Sequence, residues 1–104
     1  MEEQVIDPHS PETVKQIAQV FALSPDWLTE HDITQVAHIP FQGRPMLLVE
    51  HKVGGALFKF LAFIIPPDYS GPLPSTPQEI LEQAMRQIVR GVEQRRASLV
   101  GTFS

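Results

Sequence analysis

Between Pro45 and Pro66 the chain can be set in register with itself. The runs 45–53 and 56–65 flank Gly54-Gly55. A diglycine between two β-rich runs marks a two-residue hairpin turn, because such turns hold both central residues at positive φ. With that turn, Val53 faces Ala56, His51 faces Phe58, Val49 faces Phe60 and Leu47 faces Ala62 on one side of the sheet. The other side pairs Lys52 with Leu57, Glu50 with Lys59, Leu48 with Leu61 and Met46 with Phe63. The opposite charges of Glu50 and Lys59 select this register, since a one-residue slip would part them and turn every side chain over.

The segment Ile33 to Phe41 alternates as a third strand, and Gln42-Gly43 forms a turn into Pro45. This places Val36 beside Val49 and His38 beside Leu47 on the first side, and Ala37 beside Leu48 and Ile39 beside Met46 on the second. Three helix starts surround the strands. Ser10-Pro11-Glu12 and Ser24-Pro25-Asp26 each combine a capping residue, a proline and an acid. Val14, Ile17, Ala18 and Phe21 then recur at helical spacing, and a short helix carries Trp27 and Leu28. Ser75-Thr76-Pro77-Gln78-Glu79 opens the last helix, whose apolar arc holds Ile80, Leu81, Ala84, Met85, Ile88, Val89 and Val92. It is expected to run to about Arg96 and to leave the core near Glu93, because Arg95 and Arg96 fall inside the arc.

The expected fold is therefore α+β: a three-stranded antiparallel meander packed with a long C-terminal helix and one or two short N-terminal helices, in the order α-α-β-β-β-α. A length of 104 residues gives one domain, expected over 10–98, with a flexible tail at 1–9 and a flexible C-terminus at 99–104. The C-terminal helix is expected on one face of the sheet and the N-terminal helices at an edge or on the other face.

Ala37, Ile39, Met46, Leu48, Leu61 and Phe63 make the far half of the second side apolar. Small antiparallel sheets usually keep one face wet, and one helix cannot cover two faces. Either the N-terminal helices cover the second side with Val14, Ile17, Phe21 and Trp27, or another protein does. A contiguous apolar patch left open on a soluble chain marks an interaction site.

The net charge of −4 and pI near 5.4 argue against a nucleic-acid footprint. Residues 1–32 hold seven acids against Lys15 alone, while the last helix carries Arg86, Arg90, Arg95 and Arg96. With no cysteine, disulfides, thiol catalysis and thiolate metal sites are excluded. The opening Met1-Glu2-Glu3-Gln4 has no apolar signal core, and the apolar run from Ala56 is too short to span a bilayer and contains Lys59. A cytoplasmic location with no membrane contact is expected.

No reaction is legible. His31 sits between Glu30 and Asp32, but sequence neighbours do not share a helix face. His38 and His51 share the first sheet side without facing each other and read as a partly buried, hydrogen-bonded pair; a zinc site needs three or four ligands. Ser24, Ser70, Ser75 and Thr76 read as caps or turn residues, none in a nucleophile elbow. Gly54-Gly55 opens a strand, so it makes no phosphate cradle. The segment Ile17 to Leu28 is similar to the closing helices of some repressor-type helix-turn-helix domains, yet the first sixteen residues leave no room for a groove-reading helix and the local charge is wrong for DNA. Five prolines between 66 and 77 stiffen the long return from strand to helix; the alternative is that this extended segment, bearing Tyr69 and Leu73, docks on a partner in the polyproline mode.

These readings point to a non-catalytic protein–protein interaction protein, an adaptor, chaperone or assembly factor without cofactor or metal. Its contact residues are expected to be Ile39, Met46, Leu48, Leu61, Phe63 and Tyr69. Its partner is another protein or a second copy in a homodimer. The alternative is a small-ligand-binding or sensory domain, with a pocket between sheet and last helix lined by Met85 and the Phe58–Phe60 face.

Overall fold

A computed structural model of the chain describes the backbone of residues 7–103 and the side chains of 7–99. Two short helices, α1 (Pro11–Ala22) and α2 (Pro25–Glu30), lead into β1 (Ile33–Phe41), β2 (Arg44–Val53) and β3 (Ala56–Ala62). A long helix, α3 (Pro77–Phe103), follows. The three strands form one antiparallel sheet with β2 in the centre. The α-α-β-β-β-α order and the α+β class expected from the sequence are what the structure shows.

The hairpin register is as read. Val53 opposes Ala56, Glu50 opposes Lys59 and Leu47 opposes Ala62, while Val36 opposes Val49 and Ile39 opposes Met46. Both turns hold two residues at positive φ: 58° and 86° at Gly54 and Gly55, 52° and 76° at Gln42 and Gly43. The Lys59 ammonium lies 3.6 Å from the Glu50 carboxylate. An exposed pair of this kind contributes under about 1 kcal/mol, so it marks the register more than it stabilises the sheet.

One irregularity escaped the alternation. The β1–β2 register shifts between Ile33 and Gln35, a β-bulge at Thr34. The extra residue turns Ile33 to the same side as its partner His51, where it is 4% exposed. The Thr34 hydroxyl donates to the Glu50 carboxylate at 2.8 Å and holds the bulge in place.

The helix starts follow the capping residues, with one exception. Ser10 Oγ accepts from the Thr13 amide at 3.2 Å. Thr76 Oγ1 accepts from the Glu79 amide at 3.1 Å, while the Glu79 carboxylate accepts from the Ser75 amide at 3.1 Å, a variant of the reciprocal capping box. Ser24 does not cap α2; its hydroxyl donates back to the Val20 carbonyl at 2.8 Å.

Both α1 and α3 lie on the same side of the sheet, which corrects the expectation that the N-terminal helices occupy an edge or the opposite face. Val14, Ile17 and Phe21 of α1, and Ile80, Ala84, Ile88 and Val92 of α3, share one core with Val36, Leu47, Val49 and Ala62. α1 packs over β1 and β2, and α3 over β2 and β3. The physical reason is in the width of the α3 arc. Leu81 and Met85, on its flank, line the groove between α3 and α1 together with Ile17 and Val20. The breadth that suggested a helix alone on a sheet serves helix–helix contact as well.

α3 also runs past its expected end near Arg96. Val92 is buried. Beyond it the Arg95 guanidinium lies over the Phe58 ring at 5.2 Å, and Arg96 pairs with the Asp32 carboxylate. The arginines sit in the apolar arc because their aliphatic stems cover the end of the sheet while their charged heads reach polar partners. At the other end, Asp7 to Ser10 form a turn with Pro8 buried, the His9 amide donating to Asp7 Oδ1 at 2.9 Å. Residues 1–6 of the expected tail, and Ser104, lie outside the described residues. Among the described residues no helix is long and apolar enough to cross a membrane.

Candidate functional site

With both helices on one side, the other side of the sheet faces outward. Strand alternation puts Ala37, Ile39, Met46, Leu48 and Leu61 there, and Phe63, one step past β3, follows the same alternation. None of them belongs to the core that the helices build. Met46 is 5% exposed; the other five are half-buried. The same parity adds two exposed residues that were not among the expected contact residues, Phe41 at the apolar end and Leu57 opposite Lys52 at the polar end, at 45% and 56%. Phe41 was legible as the next step of the Ala37, Ile39 alternation, but its place beside the turn hid it. Gln35, Glu50, Lys52 and Lys59 form the polar end of this face.

Of the six expected contact residues, the structure gathers five on this face and sets Tyr69 apart. Tyr69 packs against the core on the helix side. Its hydroxyl donates to the Pro72 carbonyl at 2.7 Å, and its ring lies so close to Gly71 that a β-carbon there would meet the ring carbon Cζ at 2.9 Å. The side chain thus locks the proline connector to the domain. Leu73, farther along the same connector, is exposed.

The histidines make no pair. His38 and His51 sit opposite Leu47 and Ile33 respectively, so four strand positions, about 13 Å, separate them along β2. The expected hydrogen bonds are absent among the described residues. Both ring nitrogens of His51 and Nε2 of His38 are buried without a partner. His51 is 0% exposed and rests between aromatic rings, 5.5 Å from Phe60 and 6.1 Å from Phe58. Its pKa is held below the ordinary 6.5, first by burial and then by the charges of Arg95 and Arg96. His31 stacks on Trp27 at 4.7 Å, which in turn packs on Phe21 at 5.0 Å. Among the described residues there is no cluster of three or more His, Asp or Glu side chains that could hold a metal.

The residues expected to line one ligand pocket divide between two hollows. Met85 lines the α1–α3 groove with Ile17, Val20 and Leu81. Phe60 lines a separate cleft of about 560 Å³ along β3, with Gln87, Arg90 and Arg95 of α3. Gly91 brings α3 directly onto the Phe60 ring, where an added β-carbon would stand 2.6 Å from Cζ. A cleft between sheet and last helix is therefore present, lined by Phe60 but by neither Phe58 nor Met85. Comparison with known protein families, with curated proteins and with solved structures finds no match for this chain.

Proposed function

We propose that the chain is a non-catalytic interaction protein, an adaptor, chaperone or assembly factor, and that it docks another protein on the open face of its sheet. The observation that carries this reading is the sidedness of the molecule. Two helices share one face, while Ile39, Met46, Leu48, Leu61 and Phe63 cluster on the other with Phe41 exposed beside them. Covering such a patch removes apolar surface from water at roughly 25 cal/mol per Å². Around it stand Arg44, Lys52 and Lys59 against Glu50 alone, in a chain of net charge −4. A partner with an apolar centre and an acidic border matches that rim. A second copy, apolar half on apolar half, is the other candidate, with its basic rims opposed.

The test substitutes Leu48→Glu and Leu61→Glu, with folding checked by circular dichroism. The expected result is two folded proteins that lose the partners that wild type retains from native lysate. Light scattering over a range of concentrations separates the homodimer from the heterologous complex. Unfolding of both variants would show that these residues are core and would remove the basis of the reading.

A further inference from the structure

We propose that the outer edge of β3 is a docking edge for an extended segment whose side chains alternate between carboxylates and apolar groups. This rests on reading the molecule as a docking protein, but it uses a different surface from the centre of the open face.

The two-residue turn decides which backbone groups of β3 point outward. Val53 and Ala56 close the turn as a hydrogen-bonded pair, so Phe58, Phe60 and Ala62 bond to β2, while Leu57, Lys59 and Leu61 turn their N–H and C=O groups to the free side. The Arg95 guanidinium donates to the Lys59 carbonyl at 3.4 Å, from that outer side. Among the described residues no backbone group pairs with this edge.

The two edges of the sheet are not alike. β1 carries the bulge at Thr34 and a proline at position 40, and α2 packs against it. Bulges, prolines and covering elements are the devices that keep an edge from pairing. β3 has no bulge, no proline and a single charge, Lys59, which is turned toward Glu50 on the open face. In place of a cover it has the cleft of about 560 Å³, with the edge residues Phe60 to Phe63 as one wall and Gln87, Arg90 and Arg95 as the other.

A strand laid along β3 would continue its pleat on both sides. On the helix side its side chains enter the cleft beside Arg90 and Arg95, against which Asp68 is the one acid. On the other side the alternate side chains lie beside Leu57, Lys59, Leu61 and Phe63, where Lys59 is already paired with Glu50. Carboxylates suit the first set and apolar groups the second. A second copy of β3 fits poorly, because two-fold antiparallel pairing of the outward residues sets Lys59 against Lys59 or Leu61 and brings the arginines of the two cleft walls together.

The full chain is titrated with a short, end-capped peptide alternating glutamate and valine, read by fluorescence anisotropy. Two control peptides replace glutamate by lysine, or carry an N-methyl group on every backbone amide. The expected result is saturable, salt-sensitive binding of the glutamate–valine peptide alone, weakened roughly tenfold by Arg90→Glu, a substitution at an exposed position. Leu48→Glu, read by retention of partners, reports on the open face, and Arg90→Glu, read by peptide affinity, reports on the edge, so the two readings fail separately. No binding of the glutamate–valine peptide, or equal binding of either control, overturns the proposal.

Discussion

His51 is the residue at which local chemistry conflicts most openly with its surroundings. A buried polar group without a hydrogen bond costs about 1–3 kcal/mol, and here both ring nitrogens are unpartnered in a side chain that is 0% exposed. Burial, with Arg95 and Arg96 nearby, keeps the folded-state ring neutral and its pKa below 6.5. Asp32 lies across from Arg96 and partly offsets that charge. The unfolded chain takes up the proton as pH falls through 6.5, whereas the folded one does not until the lowered value is reached. This contribution to stability is therefore whole above pH 6.5, declines as pH falls toward the folded pKa, and is constant below it. His51→Leu, close in volume, is expected to remove that decline and to raise the unfolding free energy at neutral pH by about 1–2 kcal/mol. Urea denaturation over a pH series checks both. A variant that is less stable at every pH would mean that the ring makes an interaction worth more than its desolvation costs.

At the scale of the elements, β2 and β3 were fully legible. The diglycine fixes the turn, parity fixes the faces, and Glu50 opposite Lys59 checks the result. The bounds of β1 were legible, but its faces only from Gln35 onward. Its bulge left no signal in the alternation, because Thr34 and Gln35 are both polar and both exposed, so a flipped parity reads the same as an unflipped one. What reveals the bulge is Ile33, which belongs to the core side. Deleting Thr34 removes the extra residue, and ordinary alternation then keeps Ile33 opposite His51 on the core side and Gln35 opposite Glu50 on the open one. The expected loss of unfolding free energy is about 1 kcal/mol or less, read from the denaturation midpoint. A loss of about 2–3 kcal/mol, the burial of one isoleucine, would show that Ile33 needs the bulge to reach the core. The extent of α3 was misread for a different reason. Arginines in an apolar arc look like the end of a buried helix, yet Arg95 over Phe58 and Arg96 at Asp32 are the contacts that keep it docked.

At the scale of the whole molecule, the sequence showed that both sheet faces carry apolar residues but could not assign the helices to them. Periodicity says that α1 has a stripe; it does not say which face receives it. That choice was settled by tertiary contact, with α3 wide enough to pack on the sheet and on α1 together. The same limit applied to Tyr69, whose aromatic side chain in a proline-rich connector suggested an outward contact until its hydroxyl was seen to close on Pro72. The candidate site itself was legible to the extent that parity was: Ile39, Met46, Leu48, Leu61 and Phe63 came from the register, and they stand together because the register is right.

The sidedness of the sheet is the central claim, and two adjacent residues of β2 test it. Leu47 is 0% exposed beneath the helices, and Leu48, next in sequence, points to the open face. The measurement is the urea unfolding free energy of Leu47→Glu and Leu48→Glu side by side. The account predicts that Leu47→Glu does not fold, since an unpaired charge in the core costs more than a domain of this size can lose. It predicts that Leu48→Glu folds with a loss of about 1 kcal/mol. Equal destabilisation by the two substitutions would contradict it, because the second face would then be as buried as the first.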